Sequence, residues 1–285
     1  MTIAIAIVVT EGLVVSTDSA STLIDTNGVA ANVYDGGNKL FNLCKGLPIA
    51  AATFGSGHIG NQTISTLAKD FRALLQAGSP VGATGWTFDE ATYTIQEVTA
   101  ALREFLFEDK VAAATALAAQ GLGFKPGALG LLVGGYSAGS DCAEVWRIVI
   151  DDAGSAPPPE CVIAAGAYNV TWQGDPDPVM RLMLGFGRKT GEALKAMGIG
   201  DADIPAAIDI LKRHLEVGMA PPSMPMQDAI ALADYLVSAS IGFARFRPGA
   251  NSIGGPIEIA AVSKHEGFKW VKRKHYFDSI LNPNA

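Results

Sequence analysis

The chain has 285 residues with 28 acidic and 21 basic side chains, a formal charge of −7. That balance argues against nucleic acid as a partner, because phosphate binding needs clustered Lys and Arg. Only 17% of residues are charged and the mean hydropathy is +0.26, apolar for a lone sphere of this size, so buried subunit interfaces are expected.

The N-terminal run TIAIAIVV sets Ile3, Ile5, Ile7 and Val9 against Ala4, Ala6 and Val8. A strand apolar on both faces is covered on both sides. It lacks the positive n-region of a signal peptide and soon meets the turn Thr10-Glu11-Gly12, so LVVST reads as its hairpin partner. NKLFNL and PIAAATF predict a second strand pair around Lys45-Gly46. Apolar residues then fall at helical spacing from His58 to Leu75, with a second helical run over 88–119.

ALGLLVGGYS and AEVWRIVI return to strand character, and CVIAAGA follows the proline stretch. Residues 174–223 read as helical pieces separated by DPDP, GIGDADIP and GMAPPSMP. A strong helix covers Asp228 to Phe246, and GGPIEIAAVS and FKWVKRKH close the chain as strands. The basic cluster at 269–275 is expected to decorate the last strand. No apolar run reaches membrane-spanning length, so no membrane partner is expected. This order predicts an α+β fold, a four-layer αββα sandwich of two mainly antiparallel sheets. It forms one domain over 1–285 with a helical insertion at about 174–223.

Cys44, Cys142 and Cys161 are scattered, with no C-x-x-C, and read as reduced core thiols of a cytoplasmic protein. The four His are isolated and no H-E-x-x-H occurs, so no metal or other cofactor is expected. GYSAG at 135–139 fits the G-x-S-x-G elbow, with Ser137 as nucleophile and an Asp and one of His214, His265 or His275 downstream as partners. An elbow needs a helix directly after its Ser, and the strand-like AEVWRIVI comes instead.

The hairpin TIAIAIVVTEGLVVSTDSAST, the strand NKLFNL, the turn ATFGSG and LLVGGY…VWRI resemble the proteasome β-subunit family of N-terminal nucleophile hydrolases. The later MQDAIALADYLVSAS…SIGGPIEIAAV is similar to that family's last helix and final strands. The resemblance covers about 1–75, 128–167 and 225–275. No propeptide beyond Met1 is expected, which resembles the small bacterial relatives, the ancestral-β-like and betaproteobacterial homologues.

The resemblance implies a threonine-type peptidase working inside a homo-oligomeric ring on peptides or unfolded protein; a regulatory ATPase is not identifiable. A catalytically weak or inactive ring scaffold is the alternative. The implied catalytic positions are Thr2, Asp18 and Lys39, with Lys45 as fallback, and Gly55 as the oxyanion donor. Thr22 and Gly57 would offer backbone to an extended peptide, while Ser56 or Gly57 caps the following helix. His58 is expected as a cap or pocket wall.

The chemistry suits these residue types. A Thr hydroxyl is a weak nucleophile until a base takes its proton, and a free α-amine can be that base near neutral pH. A neighbouring Lys ammonium would favour the alkoxide, and Asp18 would keep that charge paired. Three departures weaken the likeness. Ala165 stands at a Ser position, the Asp before the G-G of the last strands is missing with Asn251 and Ser252 nearby, and Ala20 replaces an Arg.

Overall fold

The computed structural model describes residues 2–24, 30–248 and 253–275; Met1, Asn251 and Ser252 lie outside them. In chain order the strands are β1 (Ile3–Val9), β2 (Gly12–Thr17), β3 (Ser21–Ile24), β4 (Ala30–Tyr34), β5 (Leu40–Asn42), β6 (Ile49–Gly55), β7 (His58–Ile59) and β8 (Gln62–Thr63). Helices α1 (Ile64–Gln76) and α2 (Ile95–Glu104) follow, then a π-helical segment Phe105–Val111 and α3 (Ala112–Ala119). Strands β9 (Leu129–Gly135), β10 (Glu144–Ile150), β11 (Glu160–Ile163) and β12 (Asn169–Gly174) lead to α4 (Asp177–Leu184), α5 (Thr190–Ala196), α6 (Ile204–Leu215) and α7 (Met226–Phe246). Strands β13 (Glu258–Ser263) and β14 (Gly267–Lys272) end the described chain.

Two five-stranded antiparallel sheets face each other, in the orders β12-β1-β2-β13-β14 and β11-β10-β9-β6-β5. Every residue of β1 and β2 is buried, because the two faces of this hairpin serve two different layers. Ala4, Ala6, Val8, Leu13 and Val15 pack between the sheets against Leu40, Ala50, Ala52 and Leu132. The small Ala side chains on facing strands let the sheets approach closely. Ile3, Ile5, Ile7 and Val14 point the other way, onto Ala229, Ala233, Leu236 and Val237 of α7. On the far side α1 and α2 cover the second sheet through Phe71, Leu67, Val98 and Leu102. The fold is the four-layer αββα sandwich.

Several details differ from the sequence reading. The helix expected from His58 starts at Ile64, after the small β7–β8 hairpin, with Thr63 Oγ1 accepting from the Thr66 N–H as its cap. Neither Ser56 nor Gly57 is that cap, although the Gly57 carbonyl accepts the Ile64 N–H. His58 is exposed on β7 and not on the helix. The 88–119 run is two α-helices joined by a π-helical segment, and its α2 starts at a capping box of Thr94 and Glu97.

The β3–β4 hairpin and β12 have no counterpart in the sequence reading. Helix α7 is, contrary to expectation, long and apolar enough by composition to cross a membrane. Here its Ala229, Ala233, Leu236, Val237 and Ala244 pack against the first sheet, which gives one face of the helix a core role. Of the three thiols only Cys44 is a core residue; Cys142 is half-buried and Cys161 exposed, on the open edge strand β11.

Candidate active site

The end of β2, the start of β1 and the start of β5 converge on one buried polar cluster. Thr2 is 3% exposed, Asp18 0% and Lys39 7%. The Lys39 ammonium donates to Thr2 Oγ1 at 2.9 Å and to Asp18 Oδ1 at 2.8 Å. Lys39 reaches across from the second sheet, so the inter-sheet layer supplies the contact between the two.

Asp18 is a hub. Its Oδ1 also accepts the Ile3 N–H at 3.1 Å, and its Oδ2 accepts the N–H groups of Ala20 and Gly254, each at 3.1 Å. Three backbone donors and one ammonium satisfy a fully buried carboxylate, which would otherwise be very costly to desolvate. Burial lowers the Lys39 pKa from its ordinary value, with Asp18 opposing that shift.

Gly55 closes β6 with φ +84°, and a Cβ there would lie 2.6 Å from the Ala128 carbonyl oxygen. Glycine is therefore required. The Thr53 N–H donates to the Lys39 carbonyl, and strand alternation directs the N–H of Gly55, two residues on, to the same edge. Thr22 lies on β3, paired with Val33 of β4. A Cβ built on Gly57 would meet Ser21 Oγ at 3.7 Å, so Gly57 and the β3 strand face each other beside the cluster.

Other sequence candidates are elsewhere. Lys45 is exposed in the β5–β6 turn, away from Asp18's bonding partners. Ser137 Oγ donates to Glu144 Oε1 at 2.6 Å and accepts the Ile95 N–H at 2.9 Å. It ties α2 to the β9–β10 turn, and no helix follows it. Ala165 is exposed in the turn between β11 and β12.

The residue beside Thr2 is Asp175, which sequence reasoning missed. Its N–H donates to the Thr2 carbonyl at 2.8 Å, and its own buried carboxylate pairs with Arg247 at 2.7 Å. Gly174 makes this approach possible: with φ +100°, a Cβ there would collide with the Thr2 carbonyl. The sequence signal was the Gly-Asp-Pro-Asp-Pro stretch, read only as a helix separator. Also missed were the Gly254 donor and Lys274, which turns inward after β14 instead of decorating it. Lys274 Nζ reaches Ser19 Oγ at 2.7 Å and Glu258 Oε2 at 2.8 Å. Among the described residues no group of three or more His, Cys, Asp or Glu is placed to hold a metal.

No family model matches the chain, and no curated protein matches it. Among solved structures it is similar to Anbu (ancestral beta-subunit) from Yersinia bercovieri, at 13% identity and a TM-score of 0.49, over 99% of this chain and 91% of that one. It is likewise similar to the Anbu complex of Pseudomonas aeruginosa, solved as a helical assembly, at 15% identity, a TM-score of 0.49 and the same coverage. At this level of likeness, the chain's own geometry carries its functional reading.

Proposed function

We propose that the chain is an N-terminal threonine hydrolase acting on peptide amides. The observation that carries this reading is the buried contact of Lys39 Nζ with both Thr2 Oγ1 and Asp18 Oδ1. A Lys held by a carboxylate against a hydroxyl that lies one residue from the chain start is an arrangement for making an alkoxide. In this chain the Thr2 nitrogen is an amide to Met1. Removal of Met1 turns it into an α-amine, which supplies the base.

The steps then follow. The α-amine takes the Thr2 hydroxyl proton while Lys39 stabilises the developing oxygen charge, and Oγ1 attacks the substrate carbonyl. The oxyanion of the tetrahedral intermediate meets the Gly55 N–H. Collapse breaks the C–N bond, the α-ammonium returns its proton to the leaving amine, and an ester on Thr2 remains. Water, activated by the same amine, hydrolyses it. An extended substrate lies between the backbones of Thr22 and Gly57 as an added strand.

The test is labelling by an epoxyketone probe, with intact mass establishing whether Met1 is present. Label at residue 2 of the Met-free chain alone supports the mechanism; label on Met1-retaining protein overturns it.

A second reading is a proteasome-like ring scaffold with weak or no activity, and the homo-oligomer that both readings share rests on an observation. None of the residues of α5 and α6 is buried, and Ile210 and Leu215 of α6 and Met197 at the end of α5 are exposed. We propose that these helices, inside the 174–223 segment, bury that surface between copies of a homo-oligomer. A monomer by light scattering at micromolar concentration would rule this out. Cytoplasmic residence belongs to the same proposal.

A further inference from the structure

The mechanism above leaves a second buried ion pair unused, beside the first. Glu258 opens β13 opposite Thr17, and its side chain is 2% exposed. Lys274, 14% exposed, bridges Glu258 and the hydroxyl of Ser19, the residue next to Asp18. Ser19 is itself tied on every side. Its Oγ donates to the Pro256 carbonyl at 2.6 Å, its N–H to the Gly254 carbonyl at 2.9 Å, and its carbonyl accepts the Gly37 N–H at 2.9 Å. Gly37 lies two residues before Lys39, and Gly254 is itself one of Asp18's backbone donors. One residue, through its hydroxyl and both backbone groups, thus joins the four segments that build the cluster, and Lys274 holds its hydroxyl.

We propose that Lys274 and Glu258 are positioning residues for the Thr2–Asp18–Lys39 cluster, fixing Ser19 and setting the electrostatic environment of the Lys39 ammonium. This rests on the reading of that cluster as the reactive site. The charged groups facing Lys39 are Asp18 from the end of β2, Glu258 from β13 and Lys274 from beyond β14. Lys274 disfavours the charged form of Lys39, while Asp18 and Glu258 favour it. The chain places Ala20 where the resemblance expects an Arg, and Lys274 brings a cation to the neighbouring Ser19 from the other end of the sequence.

Opposite charges give opposite signs, which a purely structural role does not. In Lys274→Met, Glu258 is left uncompensated and Lys39 keeps its proton to higher pH. In Glu258→Gln, Lys274 acts alone and Lys39 loses its proton at lower pH. The double variant returns near the wild-type value, and Lys274→Arg retains it.

The direct readout is the pH titration of the Lys39 side-chain carbon signal in protein carrying ¹³C at lysine Cε, assigned with Lys39→Arg. The second is the pH dependence of Thr2 acylation by a β-lactone in Met-free protein. Opposed shifts in the two single variants support the proposal. Shifts of the same sign, or none in Lys274→Met while it melts as the wild type does, overturn it. Should Glu258→Gln fail to fold, Lys274→Met against Lys274→Arg carries the decision. If wild-type protein shown to lack Met1 is not acylated at any pH, the hydrolase reading fails, and the Lys39 titration still decides this one.

Discussion

The β1–β2 hairpin carries polar groups at both ends, and the two ends behave differently. At the Thr2 end, Asp18, Lys39, Glu258 and Lys274 sit in pairs almost wholly out of water. At the Thr10–Glu11 end, a cleft is lined by more ionisable groups, among them Glu11, Asp141, Lys264, His265 and Glu266. There the Lys264–Asp141 pair is largely exposed. Glu11 Oε2 accepts the Met226 N–H at the start of α7, and Thr10 donates to the Pro222 carbonyl, so both have structural employment. Counting ionisable side chains would choose the Thr10–Glu11 end. Desolvation and convergence on one hydroxyl choose the other.

The largest effect expected is at the proposed nucleophile, Thr2. Thr2→Ala should lose acylation by at least about 10³-fold while keeping the fold, and Thr2→Ser should keep part of it. Turnover by Thr2→Ala would dissolve the distinction between the two ends. Next, Asp18→Asn removes the charge that compensates Lys39 and should cost about 3–5 kcal/mol, a fall of roughly 10 °C in melting temperature. Unchanged melting and activity would return Asp18 to the role of a turn residue.

How much of this end was legible depends on what each residue signals locally. The alternation Ile3, Ile5, Ile7 against Ala4, Ala6 announces a strand covered on both faces, and both faces are buried as read. Thr2, Asp18 and Lys39 were singled out through a resemblance, and Lys39 stands in contact with both of the others. Strand β12 was not legible because NVTWQG is largely polar and half-exposed, with its apolar signal confined to Val170 and Trp172. With β12 went Asp175, whose importance arises from pairing across to β1. Lys274 was hidden for a similar reason. In a run of Lys and Arg, nothing local tells which side chain turns inward; that is decided by Glu258 and Ser19, distant in sequence.

A pH series sharpens the comparison further. The folded pKa of Lys39 lies below its ordinary 10.5, so between those two values the unfolded chain binds more protons than the folded one. Stability contributed by this group therefore rises with pH in that window, by at most about 1.4 kcal/mol per unit. Lys39→Met should lose that rise, so the wild type's advantage over the variant should widen as the pH is raised towards the ordinary lysine value in thermal melts. A constant or narrowing difference would mean that Lys39 is not desolvated as its surroundings imply.

Ser137 tests the open end at a half-buried position. Ser137→Ala leaves the Ile95 N–H without its acceptor and should cost about 1 kcal/mol, as loss of a helix-start partner does. Acylation at Thr2 should be unaffected. Loss of activity with the fold preserved would instead promote the G-x-S-x-G reading.

The smallest effect belongs to Lys264, and its smallness carries information. Lys264 pairs with Asp141 in full view of solvent, and its ammonium holds the Asp141 carboxyl below the usual carboxylate range. Contact geometry alone would rank this pair with Lys39–Asp18. Solvent screening and the freedom of two exposed side chains remove the advantage, because the separated groups are as well solvated as the joined ones. Lys264→Ala should therefore leave the melting temperature unchanged within about a degree at ordinary ionic strength. It should also leave Thr2 acylation unchanged, since among the described residues the opposite end of the hairpin shares no hydrogen-bond partner with the cluster. A loss approaching that of Asp18→Asn would show that burial is not what separates the two ends. The cleft at Thr10–Glu11 would then have to be counted as a second site.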